Sequence, residues 1–364
     1  MLQLDMPSPQ TIAHRILVHQ PNVPPPITLE IYPTLRCNLD CQFCDTTDRH
    51  RPPQQELSSS EWCQIVKEAA QMGAKQLFVL GGGEPFIYPA LMDILHVAKE
   101  EGLWGMITTN GTFLNAERRA QLIDMHWDEI HISMDGATAK THDSLRGKNG
   151  TFQKIVQSIC HFRAEKALRG VHSPELVLHW VITNRNYTEI PHVLKLAKSL
   201  GIHRIDFDGL IAYTPEQKVL ELNPSQQQSF VNIVEHSIQL ATRYGIRTTL
   251  EHHQKNVRGT TVPPSGQRVG LLGSPCYKPW HHLTIQADGK ISPCCVLAGE
   301  GENIREGTVQ QIWKDSPYLN RLRSQMLNHT PTKRCSECSP NILSQEWAIQ
   351  RALIELTDTQ NKNT

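Results

Sequence analysis

From about residue 27 to residue 250, short apolar runs alternate with stretches in which apolar residues recur every three or four positions. The runs at Thr28–Ile31, Gln76–Leu80, Trp104–Thr108, Glu129–Ser133, Leu176–Ile182 and Arg204–Phe207 have the length of strands. Helices are predicted between them. Ser58-Ser-Ser-Glu61 forms a capping box for the first, because its serine hydroxyl and glutamate carboxylate can take up free backbone N–H groups, and Gly73 supplies a stop. A later helix places Ile190, Val193, Leu194, Ala197 and Leu200 on one face, the spacing of core packing. Six strand–helix units predict an α/β fold, a partial (β/α)6 TIM-like barrel with a parallel sheet. In closed barrels of this kind, reactive groups gather at the C-terminal ends of the strands.

The flanks read differently. Pro21, Pro24, Pro25 and Pro26 suggest that residues 1–27 are an extended lead-in, with no leader-peptide-binding domain there. The barrel is expected over 28–250. Gly259-Thr-Thr-Val-Pro-Pro-Ser-Gly266 marks 251–275 as a linker or mobile loop. A compact hairpin follows, turning at Ala287-Asp-Gly-Lys290 because Asp-Gly suits a two-residue connection, and folding Cys276 back toward Cys294. A helix around 309–324 leads to Cys335-Ser-Glu-Cys338, so 276–345 forms a small second domain and 346–364 a C-terminal helix and tail.

Composition narrows the function classes. The 364 residues carry 36 basic and 36 acidic side chains, so no global field favours nucleic acid or an anionic membrane. No apolar run reaches membrane-spanning length and no signal peptide is recognisable, which points to a cytoplasmic protein. Ten cysteines without a disulfide pattern favour a reducing compartment and metal ligation.

Three of those cysteines, Cys37, Cys41 and Cys44, are spaced CxxxCxxC. They supply three thiolates where an iron–sulfur cluster normally takes four, which leaves one iron open to an exchangeable ligand. A zinc knuckle or a reduced structural cluster is the alternative. Three further segments follow apolar runs in order: the run ending in Gly82, Gly83, Glu84 and Pro85, then Thr108-Thr-Asn-Gly111, then Ile132-Ser-Met-Asp-Gly136. Singly each is an ordinary strand-end turn.

In this combination and order the chain resembles the radical S-adenosylmethionine (radical SAM) superfamily. The resemblance implies that Cys37, Cys41 and Cys44 hold a 4Fe-4S cluster whose open iron binds S-adenosylmethionine, and that electron donation releases a deoxyadenosyl radical. It further implies that Phe43 packs on the adenine, and that Gly82, Gly83, Glu84 and Pro85 form the motif binding the methionine amino group. Thr109, Asn110, Ser133 and Asp135 match positions along the methionine and ribose, and Arg146 a position near the carboxylate. A flavodoxin- or ferredoxin-like reductant is expected with such an enzyme; nucleic-acid and membrane partners are not.

Cys276, Cys294, Cys335 and Cys338 form a second set of four thiols, able to close a site around zinc or an iron–sulfur cluster. Beside the upstream motif, this spacing is similar to the twitch form of the SPASM extension, which implies a second, auxiliary 4Fe-4S cluster. Cys295 adjoins Cys294, but the family spacing selects Cys294. Cys63 and Cys160, in predicted helices, read as packed thiols, while His281 and His282 read as surface or outer groups.

With four protein ligands, the auxiliary cluster is expected to accept an electron rather than bind substrate. The resulting expectation is a radical SAM oxidoreductase acting on a C–H bond of a small polar metabolite, sugar- or aminocyclitol-like. A peptide-modifying maturase is the first alternative, and a non-catalytic iron–sulfur sensor or electron carrier the second. Asp206 and Asp208 can contact substrate, relay a proton, or be solvated turn acids, so no catalytic side chain is assigned.

Overall fold

The computed structural model describes residues 7–19, 22–44, 55–80, 82–257, 270–297, 299–338 and 340–362. Six strands, β1 (Thr28–Ile31), β2 (Gln76–Val79), β3 (Trp104–Thr109), β4 (Glu129–Ser133), β5 (Glu175–Ile182) and β6 (Arg204–Gly209), pair in parallel, each with the next. Their ends differ from the predicted ones by two residues at most. Between them run α2 (Ser59–Met72), α3 (Leu91–Glu100), α4 (Ala116–Asp124), the pair α5 (Ala139–Arg146) and α6 (Thr151–Arg169), and α7 (Ile190–Leu200). The Ser58–Glu61 capping box opens α2, worth about 1 kcal/mol, and Gly73 closes it at φ +107°.

Side-chain alternation sorts the sheet into two faces. Leu29, Ile31, Leu77, Val79, Ile107, Ile130, Ile132, Leu178, Trp180, Ile205 and Phe207 are buried in the core shared with the helices. The other face carries Glu30, Phe78, Met106, Thr108, His131, Ser133, His179, Asp206 and Asp208, the inner wall of a partial barrel. That wall is unusually polar for a sheet. Arg204 bridges Glu129 at 3.0 Å and Asp206 at 2.8 Å, and His131 Nε2 meets Glu129 at 2.9 Å.

After β6 come α8 (Pro215–Lys218), α9 (Pro224–Tyr244), the short β7 (Arg247–Thr248) and α10 (Leu250–Val257). The linker expected over 251–275 therefore begins inside a helix, and its residues 258–269 lie outside the described ones. Next are α11 (Lys278–His281), β8 (His282–Ile285) and β9 (Ile291–Ser292), and the hairpin forms as predicted, with Gly289 N–H donating to Gln286 O at 2.8 Å. Its placement has no local signature in the sequence. β8 pairs in parallel with β1, so among the described residues one sheet of nine strands runs β7-β6-β5-β4-β3-β2-β1-β8-β9. The C-terminal hairpin thereby covers an edge that β1 would otherwise expose.

Three other expectations need correction. The lead-in contains α1 (Pro9–Val18), capped by Ser8 and started by Pro9, with Ile12, Ala13 and Ile16 buried. The helix expected around 309–324 is two, α12 (Val309–Asp315) and α13 (Pro317–Leu327), because Pro317 cannot continue the first and Ser316 caps the second. The last helix, α14 (Pro340–Lys362), starts before the predicted boundary at 346. α1 and α14 close a satellite core in which Ile12, Ile16, Ile349 and Leu353 surround Tyr277 and Trp280. No helix among the described residues is long and apolar enough to cross a membrane.

Candidate active site

The loop after β1 carries the first three cysteines, and its shape is fixed on three sides. At its root, Arg36 makes a two-pronged bond to the buried Glu56 at 2.9 and 3.0 Å, and Thr34 donates to the same carboxylate at 2.5 Å. Beside it, Gly83 N–H donates to Thr34 O and Glu84 N–H to Arg36 O, at 3.0 and 2.9 Å. This approach needs glycine: a Cβ on Gly83 would stand 2.0 Å from Arg36 O, and Gly82 holds φ +53° with its own Cβ position 2.2 Å from Leu35. On the third side, Asp40 and Gln42 N–H groups donate to Arg146 O and Leu145 O, so the loop caps the C-terminus of α5.

Cys37, Cys41 and Cys44 line one cavity of about 290 Å³ at the C-terminal ends of β1 to β5. Phe43, Gly82, Gly83, Glu84, Thr109, Asn110, Ser133 and Arg146 line it with them. Glu84 is buried and tied into the strand ends, accepting from Thr109 Oγ1 at 2.7 Å, Asn110 N at 2.7 Å and Phe86 N at 3.2 Å. Burial raises its pKa against the pull of those donors. Pro85 and Asp135 stand behind the wall rather than on it. Pro85 starts the turn of helix after Glu84. Asp135 is fully buried, accepts from Val181 N at 2.7 Å and ion-pairs with Arg146.

Arg146 is the electrostatic centre of this wall. Its Nη1 donates toward Cys41 Sγ at 3.6 Å and its guanidinium lies 5.3 Å from the Phe43 ring centroid. Burial disfavours its charge, but Asp135 and Cys41 outweigh that and hold it ionised. Burial likewise pushes the Cys41 thiol up to about 11, with Arg146 opposing. Tyr32, Leu39, Thr108, His179 and Val181 also line the cavity and carry no site assignment from the sequence. His179, on β5, faces the same space as Ser133, and its Nε2 meets Asp208 on β6 at 2.7 Å. Burial opposes its protonation, but Asp208 prevails and raises its pKa. The available signal was strand alternation, which puts His179 and Val181 on the face opposite Leu178 and Trp180.

The second cysteine set also converges. Cys276, Cys294, Cys335 and Cys338 line a partly open, mostly apolar cavity of about 130 Å³, together with Cys295. Backbone N–H groups of Val296 and Leu297 bond to Cys294, partly offsetting the burial that pushes its thiol up to about 12. Such donors suit a thiolate ligand. Among the described residues no three His, Cys, Asp or Glu side chains close on a single metal ion. Thiols gathered around one cavity are a donor set that suits an iron–sulfur cluster. Cys63 is half-buried as expected, whereas Cys160 is exposed on its helix. His281 and His282 are buried, not superficial.

The donor sets and cradles therefore match an open three-thiol site and a closed four-thiol site. A model of the radical SAM superfamily matches residues 31–197, and the SPASM model, an iron–sulfur cluster-binding domain, matches 276–339. The chain belongs to the radical SAM superfamily. As a radical SAM protein with a SPASM domain, it takes a 4Fe-4S cluster, S-adenosylmethionine and auxiliary iron–sulfur ligation as its cofactors. It is 26% identical over 314 residues to the AdoMet-dependent heme synthase of Methanosarcina barkeri, spanning 84% of this chain and 87% of that one. To the PqqA peptide cyclase of Rhizobium meliloti it is 25% identical over 312 residues, spanning 84% and 78%. Its fold matches SuiB of Streptococcus suis with a TM-score of 0.67 at 19% identity, over 93% of this chain and 75% of that one. At that identity the likeness is one of fold.

Proposed function

We propose that this radical SAM enzyme is an oxidoreductase that removes two hydrogens from a small polar metabolite, sugar- or aminocyclitol-like. S-adenosylmethionine bound at the first cluster would supply the chemistry of hydrogen-atom abstraction, and an auxiliary cluster would supply an acceptor for the second electron. Cys37, Cys41 and Cys44 are the ligands of the first cluster in this reading, and Cys276, Cys294, Cys335 and Cys338 those of the second. Phe43, Arg146 and the Gly82–Gly83–Glu84 cradle orient the cofactor, with Asp135 and Pro85 fixing that wall from behind. A flavodoxin- or ferredoxin-like protein delivers the first electron.

The observation that carries the substrate class is the polar inner wall of the barrel. Beside the cavity stand His179 with Asp208, and deeper lie Glu129, His131, Arg204 and Asp206. These groups pair with one another and make the wall charged, a lining that suits a substrate rich in hydroxyl or amino groups better than an apolar one. A second reading is a peptide-modifying maturase. It is favoured by the names of the relatives, a PqqA peptide cyclase and a SuiB structure with precursor peptide SuiA bound.

Deoxyadenosine release under chemical reduction, measured against pooled sugars and aminocyclitols and against peptides, tests the proposal. Stimulation by a carbohydrate pool, with a product lacking two hydrogens by mass spectrometry, supports it. Stimulation by peptides alone transfers the site to the second reading.

A further inference from the structure

The end of α5 grips Cys41 from two directions, and both holds come from Arg146. Its carbonyl accepts from Asp40 N–H at 3.1 Å while Leu145 O accepts from Gln42 N–H at 2.9 Å, so the residues on either side of Cys41 are tied to the helix end. Its guanidinium reaches the cysteine itself, with Nη1 donating toward Cys41 Sγ at 3.6 Å. Gly147 permits this approach: it holds φ +69°, and a Cβ there would stand 2.2 Å from Asp40 O. The rest of the side chain is enclosed. Nη2 pairs with Asp135, Nε is buried with no hydrogen-bond partner among the described residues, and the Phe43 ring lies beside the guanidinium.

The cysteines are served differently. Cys37 Sγ takes neutral amide donors, Leu39 N–H at 3.5 Å and Asn110 Nδ2 at 3.9 Å. Cys41 meets a full positive charge, and a fixed one, because a guanidinium does not lose its proton in a protein. Different nitrogens serve Cys41 and Asp135, so the ion pair turns its positive end toward the cysteine.

We propose that Arg146, acting through Cys41, makes the first site easier to reduce. It is a positioning residue for electron uptake, over and above its part in orienting the cofactor. The inference rests on Cys37, Cys41 and Cys44 being the ligands of the first cluster. One electron leaves the reductant and enters the first site; no bond breaks and no proton moves. The site thereby gains one negative charge, shared with its thiolates. A fixed cation one hydrogen bond away, in a wall of low dielectric, favours that gain. Hydrogen bonds to sulfur and local charge are among the factors that set cluster potentials. The negative end of α5 opposes with about half a charge, and two of its last carbonyls are already occupied by Asp40 and Gln42. Asp135 opposes from beyond the guanidinium.

The test is a potentiometric titration followed by electron paramagnetic resonance, on the full chain loaded with both clusters and without S-adenosylmethionine. The signal missing from Cys37→Ala/Cys41→Ala/Cys44→Ala marks the first site. In Arg146→Gln the ratio of reduced to oxidised first site at a given potential should fall about tenfold, a shift of about 59 mV for one electron, with the second site unmoved. Arg146→Lys, which keeps the charge, should recover part of that shift. Asp135→Asn/Arg146→Gln leaves no buried charge unpaired, and should shift the first site in the same direction. An unmoved first site in Arg146→Gln would overturn the proposal. So would a shift absent from the paired variant, which would belong to the bared Asp135 charge, or one that needs S-adenosylmethionine, which would leave Arg146 the orienting role alone. Loss of first-site iron in all three Arg146 variants would make the residue a brace for the loop and overturn it as well. These outcomes strike the proposal alone, whereas both clusters surviving in the triple cysteine variant would overturn the ligand assignment and the proposal with it.

Discussion

Asp135 and Arg146 form a buried ion pair behind the first cavity, and it joins three parts of the site. Asp135 fixes the end of β4 against β5, while Arg146 reaches Cys41 and Phe43 in the cysteine loop. Its partner removed, the guanidinium would be a buried charge facing a thiol and a ring. Asp135→Asn should therefore lower stability by about 3–5 kcal/mol, read by chemical denaturation, and weaken S-adenosylmethionine binding, read by calorimetry. Wild-type stability in this variant would show that Arg146 is held by other groups.

The Gly83 position makes a steric prediction. With a Cβ placed 2.0 Å from Arg36 O, Gly83→Ala must push the cysteine loop away from β2. The expected cost is about 1–3 kcal/mol, together with reduced iron at the first site and normal iron at the second. Equal loading of both sites would mean that the cradle tolerates the shift.

His179 gives the site a pH signature. Its pKa in the fold is raised above the ordinary value of about 6.5, with burial opposing and Asp208 prevailing. A group raised on folding stabilises fully below its unfolded pKa and loses that contribution as pH climbs through the folded one. The His179–Asp208 pair should thus stabilise the protein in mild acid and progressively less above about pH 6.5. An NMR titration of His179 should show a midpoint above that value in wild type and a lower one in Asp208→Asn. Identical midpoints would remove the pairing from the account.

Cys294 and Cys295 are neighbours with different prospects. Both line the second cavity, but backbone N–H donors serve Cys294. Cys294→Ala should lose the auxiliary cluster's iron, and Cys295→Ala should keep it. The reverse pattern would reassign the ligand.

Much of this was legible because it is local. Strands β1 to β6 announce themselves as apolar runs, and the cysteines, Glu84 and Arg146 sit in short motifs that the strand ends bring together. What the sequence hid depends on distance. The pairing of β8 with β1 joins residues about 250 positions apart, so neither the covered edge nor the bond between His282 and Glu30 has a local signature. His179 is hidden differently, inside an apolar run whose two faces only strand alternation separates. Asp135 was matched by motif as a cofactor contact, yet its burial makes it the support of Arg146. The α1 stripe was overshadowed by the prolines that follow it.

The most direct test compares wild type with Cys37→Ala/Cys41→Ala/Cys44→Ala after anaerobic reconstitution, measuring iron, sulfide and deoxyadenosine release on reduction. The account predicts two four-iron clusters in wild type, one in the triple variant, and deoxyadenosine from wild type alone. A fully loaded wild type that cleaves no S-adenosylmethionine, or zinc in place of iron, would contradict it.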